Sequence, residues 1–231
     1  MNPQINIESL LSNYDLVDMR KDLLQWWHTN KREFPWRDTR NPYRLVIAEI
    51  LLHRTRAEQV VPLYDTFIRR FPDVFALAEG TLDEVSTMLY SGGLHWRWKL
   101  LHSLAQQVAW KLSGEIPKEF NELVSLPGIS HYIASAVRCF AFGYPDVLLD
   151  TNTVRIAGRV FGLSITDSSR RSRLFRSIME QWLDTQHPRE FNFGLIDLAA
   201  EYCTAKLAHH EQCCLRKHCI EDKTSCVLCS H

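Results

Sequence analysis

Apolar residues recur at steps of three and four along most of the chain, which is the spacing of an amphipathic α-helix. Ile133, Val137 and Phe140, for example, fall on one stripe of a single segment. No segment alternates polar and apolar residues cleanly enough to predict a β-strand. The pattern therefore predicts an all-α protein of about ten helices. The clearest helical segments are VDMRKDLLQWWHTNKR, RLVIAEILLHRT, KLLHSLAQQVAWKL, HYIASAVRCFAFG and TNTVRIAGRVFGL.

Glycine and proline fall between these segments, as in FPDV, LPGIS and GYPDV. LPGIS separates NELVSL from HYIASAVRCF, which predicts a tight turn with Gly128 at the bend and Ser130 as N-cap of the next helix. Backbone N–H groups at such a bend, with the positive end of the second helix, form a site for a phosphate group. Most LPG turns simply end a helix, so this motif alone is a weak indication.

Composition restricts the class of protein. The 231 residues suffice for one large or two small domains, and 45% hydrophobic with 23% charged residues is typical of a soluble globular protein. A net charge of zero argues weakly against nucleic-acid binding. No apolar run approaches the ~20 residues of a membrane span. The N-terminal MNPQINIESLL lacks the regions of a signal peptide, so we expect a cytoplasmic protein without a membrane partner.

The cysteines are concentrated near the end of the chain. Of seven cysteines, six lie between Cys203 and Cys229, and only Cys139 lies elsewhere. Because disulfides are rare in a reducing cytosol, such a terminal cluster indicates a metal site. Cys139 stands among apolar residues and is expected to be a small core residue.

Two acidic residues stand in opposite surroundings. Glu49, in LVIAEILL, is flanked by apolar residues, where a carboxyl group retains its proton and can act as a general acid. The segment alone favours an exposed stripe for Glu49. Asp150 precedes TNTVRIAGR, where it is predicted to cap a helix and stay ionised beside free amides, although many capping Asp residues are only structural. A protonated acid and an ionised carboxylate suit departure of a base from a sugar through an oxocarbenium ion.

These motifs together resemble the helix-hairpin-helix DNA glycosylases of the endonuclease III superfamily, whose hairpin reads approximately LPGxGxxTA with a catalytic Asp some twenty residues later. Here LPGISHYIASA is followed by LLDTNTVR. The resemblance extends back to FPWRDTRNPYRLVIAEILLHRT and forward to FNFGLIDLAAEYC. It implies two helical domains, residues 42–149 with the hairpin and residues 1–41 plus 150–231 with a C-terminal metal-cluster loop.

Within that family the chain is most similar to monofunctional mismatch glycosylases, which act on adenine or on thymine in G/T mispairs. Glu49, Tyr132, Asp150 and Asn152 match the positions such enzymes use for catalysis. Tyr132 occupies the position of the Schiff-base lysine of bifunctional members. Because a phenol cannot form that imine, strand cleavage is not expected. Tyr132 and Asn152 are implied to position the two carboxylates.

The resemblance also implies a DNA-binding rim, because such enzymes flip the target base out of the helix and fill the gap. Arg54 falls where related enzymes insert a polar side chain, and Leu94 falls where they insert a wedge. A local basic rim is compatible with zero net charge. Ser130 stands where the second glycine of the hairpin is expected, so the turn is expected to bend differently. The expected DNA-binding residues are His53, Arg54, Leu94, His95, Arg97, Gly128 and Ser130.

The excised base is left open between two classes. Adenine enzymes typically carry a further C-terminal domain, and we expect this domain to be missing, since twelve residues follow Cys219. They also show LQQT and GLGYYSR, against LHRT and GGLHWRW here. Glu49, however, is easiest to explain with a purine, where it would protonate N7. We expect thymine or uracil opposite G, with adenine opposite G or 8-oxoguanine as the alternative.

The family's cluster motif is C-x6-C-x2-C-x5-C, and its four positions fall on Cys203, His210, Cys213 and Cys219. Imidazole ligates iron in some clusters, so we expect a [4Fe–4S] cluster with His210 as fourth ligand. Rival interpretations are Cys214 as the fourth ligand, a shifted set with Cys226 and Cys229, a zinc ion, or no metal. The loop would carry Lys206, Arg216, Lys217 and Lys223 towards the DNA backbone.

Three classes of function follow. The main hypothesis is a monomeric, nucleoid-associated enzyme that binds mismatched double-stranded DNA, hydrolyses the N-glycosidic bond and leaves an abasic site. The second is a module that binds damaged DNA without cutting it, against which the four catalytic residues argue. The third is a metal-dependent redox sensor that needs no DNA.

Overall fold

The computed structural model describes residues 6–53, 55–90 and 97–222. Within these ranges the chain contains no strand, and one isolated antiparallel bridge pairs Cys203 with Ala208. The predicted all-α fold is confirmed. The helices of the described ranges are α1 (Ile7–Leu11), α2 (Leu16–Asn30), α3 (Pro42–Leu52), α4 (Ala57–Arg70), α5 (Val74–Glu79), α6 (Leu82–Tyr90), α7 (Arg97–Lys111), α8 (Phe120–Ser125), α9 (His131–Phe142), α10 (Thr151–Phe161), α11 (Arg173–Trp182) and α12 (Pro188–Glu201).

Backbone packing divides the chain into two compact units. Unit 1 comprises Met1–Arg32 and Pro145–His231, and unit 2 comprises Glu33–Tyr144. The domain bounds implied by the family resemblance, 42–149 against 1–41 plus 150–231, stay a prediction. In the described part of the chain, no helix combines the length and apolar character needed to cross a membrane.

In unit 2, helix α3 is buried on nearly all sides. Asn41 caps it by accepting a hydrogen bond from Arg44 N at 3.1 Å, and Pro42 supplies a preset first turn. From Leu45 to Leu51 every residue is buried, since α4 and α9 pack against this helix. The expectation that Glu49 lies on an exposed stripe is therefore wrong. A helix that is apolar all round has no solvent face, and Glu49 is buried with it.

The predicted hairpin is formed by α8, a turn at residues 126–130, and α9. Gly128 adopts φ +80°, a left-handed conformation that glycine accepts without strain. Ser130 is the N-cap of α9, as predicted, and its hydroxyl accepts a hydrogen bond from Ile133 N at 3.2 Å. Because Ser130 has φ −82° and ψ 166°, this position does not need the glycine that the family pattern places there.

In unit 1, α10 is strongly amphipathic and packs its apolar face against α11 and α12. Trp182 lies at the centre of this core, with edge-to-face contacts to Phe161 at 5.3 Å and Phe191 at 5.5 Å between ring centroids. Gly162 ends α10 in the left-handed conformation with φ +68°. This packing fixes the start of α10, and with it Asp150.

Candidate active site and metal-binding pocket

Asp150 is the N-cap of α10, as predicted, and both of its carboxylate oxygens accept hydrogen bonds. Oδ1 accepts from the backbone N–H groups of Asn152 at 2.9 Å and Thr153 at 2.8 Å. Oδ2 accepts from the side-chain amide of Asn152 at 2.9 Å. The Thr153 hydroxyl accepts from Asp150 N at 3.0 Å, which completes a capping box. The carboxylate is thus held in one orientation at the positive end of a helix.

Arg155 continues this network and was missed by the sequence analysis. Its Nη2 donates to Asn152 Oδ1 at 3.0 Å and to Ala199 O at 3.1 Å, and its Nε donates to Cys203 O at 2.8 Å. A chain of hydrogen bonds therefore runs from the carbonyl of Cys203 to the carboxylate of Asp150. An arginine one turn after Asn152 on the same helix face was the available signal, but its two carbonyl partners, Cys203 and Ala199, lie more than forty residues away.

Glu49 and Tyr132 lie in unit 2, on helices that pack directly against each other. Glu49 is 7% exposed on α3. Tyr132 is in the first turn of α9, half-buried against the core of that unit. Helices α3 and α9 pack against each other along their backbones.

Arg97 and His53 form a second polar contact in unit 2. The Arg97 guanidinium donates to Ile50 O at 3.0 Å and to His53 O, and lies 3.0 Å from His53 Nδ1. Arg97 is 5% exposed. Its guanidinium satisfies carbonyl groups at the C-terminal end of α3, which have no partner within the helix. These contacts position the His53 turn, and the DNA contact expected of Arg97 stays a prediction.

The hairpin turn presents the exposed backbone expected of a phosphate site. Gly128 and Ser130 are both exposed. Within the described chain, the backbone N–H groups of Gly128, Ser130 and His131 have no acceptor. These amides lie at the N-terminus of α9, whose dipole favours an anion. Arg54, Leu94 and His95, which the sequence assigns to base flipping, lie outside the described residues.

The predicted metal ligands converge on one pocket in unit 1. The pocket encloses about 310 Å³ of empty space, part of which is open to solvent. Its walls include Cys203, His210, Cys213 and Cys219, while Cys214 is not among them. Cys203 and Cys219 are buried, and Cys213 is half-buried. His210 Nδ1 lies 3.9 Å from Asp222 Oδ1, which is longer than a hydrogen bond.

The cysteine thiols of this pocket have shifted pKa values. Burial raises the pKa of the Cys203 and Cys219 thiols, which keeps them neutral unless positive charge is nearby. Arg159 opposes this at Cys203, since its Nη1 donates to the Cys203 sulfur at 3.3 Å. A hydrogen bond from the Cys214 thiol lowers the pKa of Cys213 and raises that of Cys214.

A single metal ion requires closely spaced ligand atoms. A tetrahedral zinc ion with ~2.3 Å bonds to sulfur requires ligand atoms within about 4 Å of one another. In the described chain, only Asp18, Asp22 and His218 form a group of three or more potential ligand atoms within 4.8 Å of one another. No three of the four predicted metal ligands form such a group in the described chain. Cys226 and Cys229, which the shifted ligand set requires, lie outside the described residues.

Helix α2 holds the loop that carries these ligands. Lys217 Nζ lies 2.7 Å from Asp18 Oδ2 and 3.0 Å from Asp22 Oδ2, and His218 Nε2 lies 3.1 Å from Asp22 Oδ2. Arg216 Nε pairs with an acidic residue of its own loop, Asp222, at 3.2 Å. The basic residues expected to face DNA thus include two that are neutralised within unit 1. Lys206 is exposed, and Lys223 lies outside the described residues.

Comparison with known proteins agrees with this geometry. A family model described as HhH-GPD superfamily base excision DNA repair protein matches residues 47–182. The thymine-DNA glycosylase of Aeropyrum pernix is 37% identical over 210 residues, which cover 87% of this chain and 93% of that protein. The thymine/uracil-DNA glycosylase of Pyrobaculum aerophilum is 35% identical, and the match covers 83% of this chain and 86% of that protein. The solved structure of a thermostable thymine-DNA glycosylase superposes with a TM-score of 0.86 at 31% identity, over 93% of this chain and 99% of that chain.

An adenine DNA glycosylase of Buchnera aphidicola is 30% identical over 85% of this chain. The match covers only 56% of that protein. The chain therefore matches the thymine relatives along nearly their whole length and the adenine relative along little more than half.

Proposed function

Because the chain belongs to the HhH-GPD superfamily of base excision DNA repair proteins, we propose that it is a monofunctional mismatch DNA glycosylase. It binds double-stranded DNA, extrudes a thymine or uracil opposite guanine, and hydrolyses the N-glycosidic bond to leave an abasic site. The observation that carries this proposal is the Asp150 carboxylate, fixed by two backbone amides and the Asn152 side chain at the start of α10.

Asp150 stabilises the oxocarbenium ion that forms as the base departs. Its orientation is set before the substrate arrives, so no reorganisation is required as positive charge develops on the sugar. Asn152 holds the second carboxylate oxygen, and Arg155 holds Asn152. Asn152 and Arg155 act as positioning residues.

Glu49 supplies the acid or orients the water. Glu49 is buried within α3, and a carboxyl group at such a position can serve as the proton donor to the departing base. With a pyrimidine, Glu49 either donates its proton to a carbonyl oxygen of the base or orients the attacking water. Tyr132, from the packed helix α9, positions this carboxyl group. Because a phenol replaces the amine of lyase enzymes, the reaction ends at the abasic site.

The pocket of Cys203, His210, Cys213 and Cys219 would hold a [4Fe–4S] cluster. When bound, the cluster supplies a covalent tie that fixes the terminal loop to the rest of unit 1. The protein contributes the buried thiols, the Arg159 donor to the Cys203 sulfur, and the link from Arg155 to the Cys203 carbonyl. The integrity of this loop therefore bears on the orientation of Asn152 and Asp150.

The thymine and thymine/uracil relatives, matched along most of their length, support a pyrimidine substrate. Adenine opposite guanine or 8-oxoguanine is the second candidate, supported by the adenine relative. We further propose that the protein acts as a monomer associated with the nucleoid, with the exposed amides of Gly128 and Ser130 on the DNA backbone.

The test is a single-turnover excision panel. Duplexes carry T, U, A or an oxidised base opposite G, and A opposite 8-oxoguanine, and hot alkali converts abasic sites to breaks. Excision of T and U opposite G, without breaks before alkali, is expected. Excision of A alone would replace the pyrimidine assignment with the adenine one. Tight mismatch binding without any excision would indicate a recognition module.

A further inference from the structure

Four arginines lie close together in the sequence, two in the connection between α10 and α11 and two at the start of α11. Arg170, Arg171, Arg173 and Arg176 occur within seven residues, in the stretch RRSRLFR. All four side chains are exposed. Within the described chain none of them has a side-chain hydrogen bond, ion pair or ring contact. We call these four residues the arginine surface.

The backbone beneath the arginine surface is firmly held. Ser169 is buried, and its hydroxyl accepts a hydrogen bond from Thr166 N at 2.9 Å. The 3-10 turn Ser169–Arg171 packs against α10 and α11. On the opposite face of α11, Phe175, Ile178, Met179 and Trp182 are buried. Because α11 is so strongly amphipathic, Arg173 and Arg176, one turn apart, are kept on its solvent face.

The arginine surface lacks ion pairs in the described chain, whereas many other basic side chains form them. Arg70 pairs with Glu84, Arg159 with Glu221, and Lys217 with two aspartates. The chain has 27 basic and 27 acidic residues, so its net charge is zero. An unpaired group of four cations is therefore a local excess on a neutral protein. Its repulsion is unfavourable in the free protein and is relieved by a polyanion.

We propose that the arginine surface binds the phosphate backbone of nucleic acid, as a contact additional to the hairpin. Guanidinium groups bind phosphate oxygens through two parallel hydrogen bonds, and the surface contains arginine without lysine. An interface with a protein needs a buried aromatic or aliphatic anchor. The segment 168–176 offers none, since Phe175 is buried and Leu174 packs against the core of unit 1.

This inference rests on the proposed function only in identifying DNA as the polyanion that the protein meets. The contact itself carries no sequence information and requires no damaged base. It raises the affinity for undamaged duplex and thereby the time that the enzyme spends on DNA between lesions.

The test compares two double variants with equal loss of charge. Arg171→Gln/Arg173→Gln removes half of the arginine surface. Arg40→Gln/Arg69→Gln removes two arginines that are likewise exposed and unpaired in the described chain, but lie in unit 2. Fluorescence anisotropy with an undamaged 30-mer duplex gives Kd over a range of KCl concentrations, and thermal melts verify folding.

Each lost phosphate contact reduces the salt slope of log K by ~0.9, so the Arg171/Arg173 variant should lose ~1.8 and bind at least about fivefold more weakly at low salt. The Arg40/Arg69 variant should change by less than about twofold. Single-turnover excision at saturating enzyme should stay unchanged in both, because neither pair belongs to the catalytic machinery.

If both variants lose the same affinity for duplex DNA, the effect comes from net charge and not from this surface, and the proposal is overturned. Unchanged binding in the Arg171/Arg173 variant would also overturn it. A specific loss of binding to polyglutamate, with DNA binding intact, would assign the surface to an acidic protein instead. If the unmodified protein excises no base but shows arginine-dependent duplex binding, the proposed function fails while this inference stands.

Discussion

Asp150→Asn separates the catalytic use of this residue from its structural use. The variant keeps an oxygen for the N-cap, and Asn and Asp are about equally good caps. It loses the charge and the second oxygen, which accepts from the Asn152 side-chain amide at 2.9 Å. In its place an NH2 group faces the NH2 group of Asn152, so one of the two amides must turn and forfeit a hydrogen bond.

The structural cost follows from that single lost bond. A hydrogen bond to a charged, partly buried group contributes ~1.5 kcal/mol, which corresponds to a fall of about 3–6 °C in Tm for a protein of this size. Typical domains have ~5–15 kcal/mol of stability, so the variant stays almost fully folded. The catalytic cost is larger, since removal of a preorganised group that faces developing charge slows reactions by ~10²–10³-fold or more. Excision should therefore fall by at least two orders of magnitude in a folded protein.

Asp15→Asn is the matched control. Asp15 caps α2 in the same unit, and its Oδ1 also accepts from the amides two and three residues later, at 3.1 Å and 3.0 Å. Single-turnover excision on a G/T duplex, with binding measured by anisotropy and Tm by circular dichroism, compares the two variants. The control should excise normally, and both should bind the mismatch. Excision by Asp150→Asn within about threefold of the unmodified protein, or an equal loss in the control, would refute the assignment.

Other variants test separate parts of the site. Tyr132→Lys places an amine at the imine-forming position and should introduce borohydride trapping and strand nicking, whereas trapping of the unmodified protein would contradict the monofunctional assignment. Arg155→Gln removes the donor to the Cys203 carbonyl and to Asn152, so Tm and excision should fall together; a fall in Tm alone would remove Arg155 from the positioning of Asp150. Gly128→Ala imposes φ +80° on an L-residue at ~1 kcal/mol and should weaken duplex binding by severalfold without changing the saturated excision rate. His210→Cys should retain four irons and the absorption band of a cluster after anaerobic purification, while colourless, zinc-containing unmodified protein would exclude the cluster.

The sequence by itself determined the features that depend on neighbouring residues. The helical segments follow from three- and four-residue periodicity, and Ser130 and Asp150 were identified as N-caps from the residues that follow them. Both caps close hydrogen bonds within three residues, so their geometry requires no other part of the chain. The motif of three cysteines and one histidine could also be identified from the sequence, because it is defined by spacing along the chain.

The tertiary structure decided which polar groups are buried and which are paired. Glu49 was expected on an exposed stripe, but α4 and α9 cover its helix. The sequence of α3 alone does not indicate which helices pack against it. Arg97 looked like a surface cation and is buried against the end of α3. Arg155 binds carbonyls more than forty residues away, whereas the arginine surface meets no acidic partner in the described chain. Burial and ion pairing depend on contacts between distant segments, which only the folded arrangement brings together.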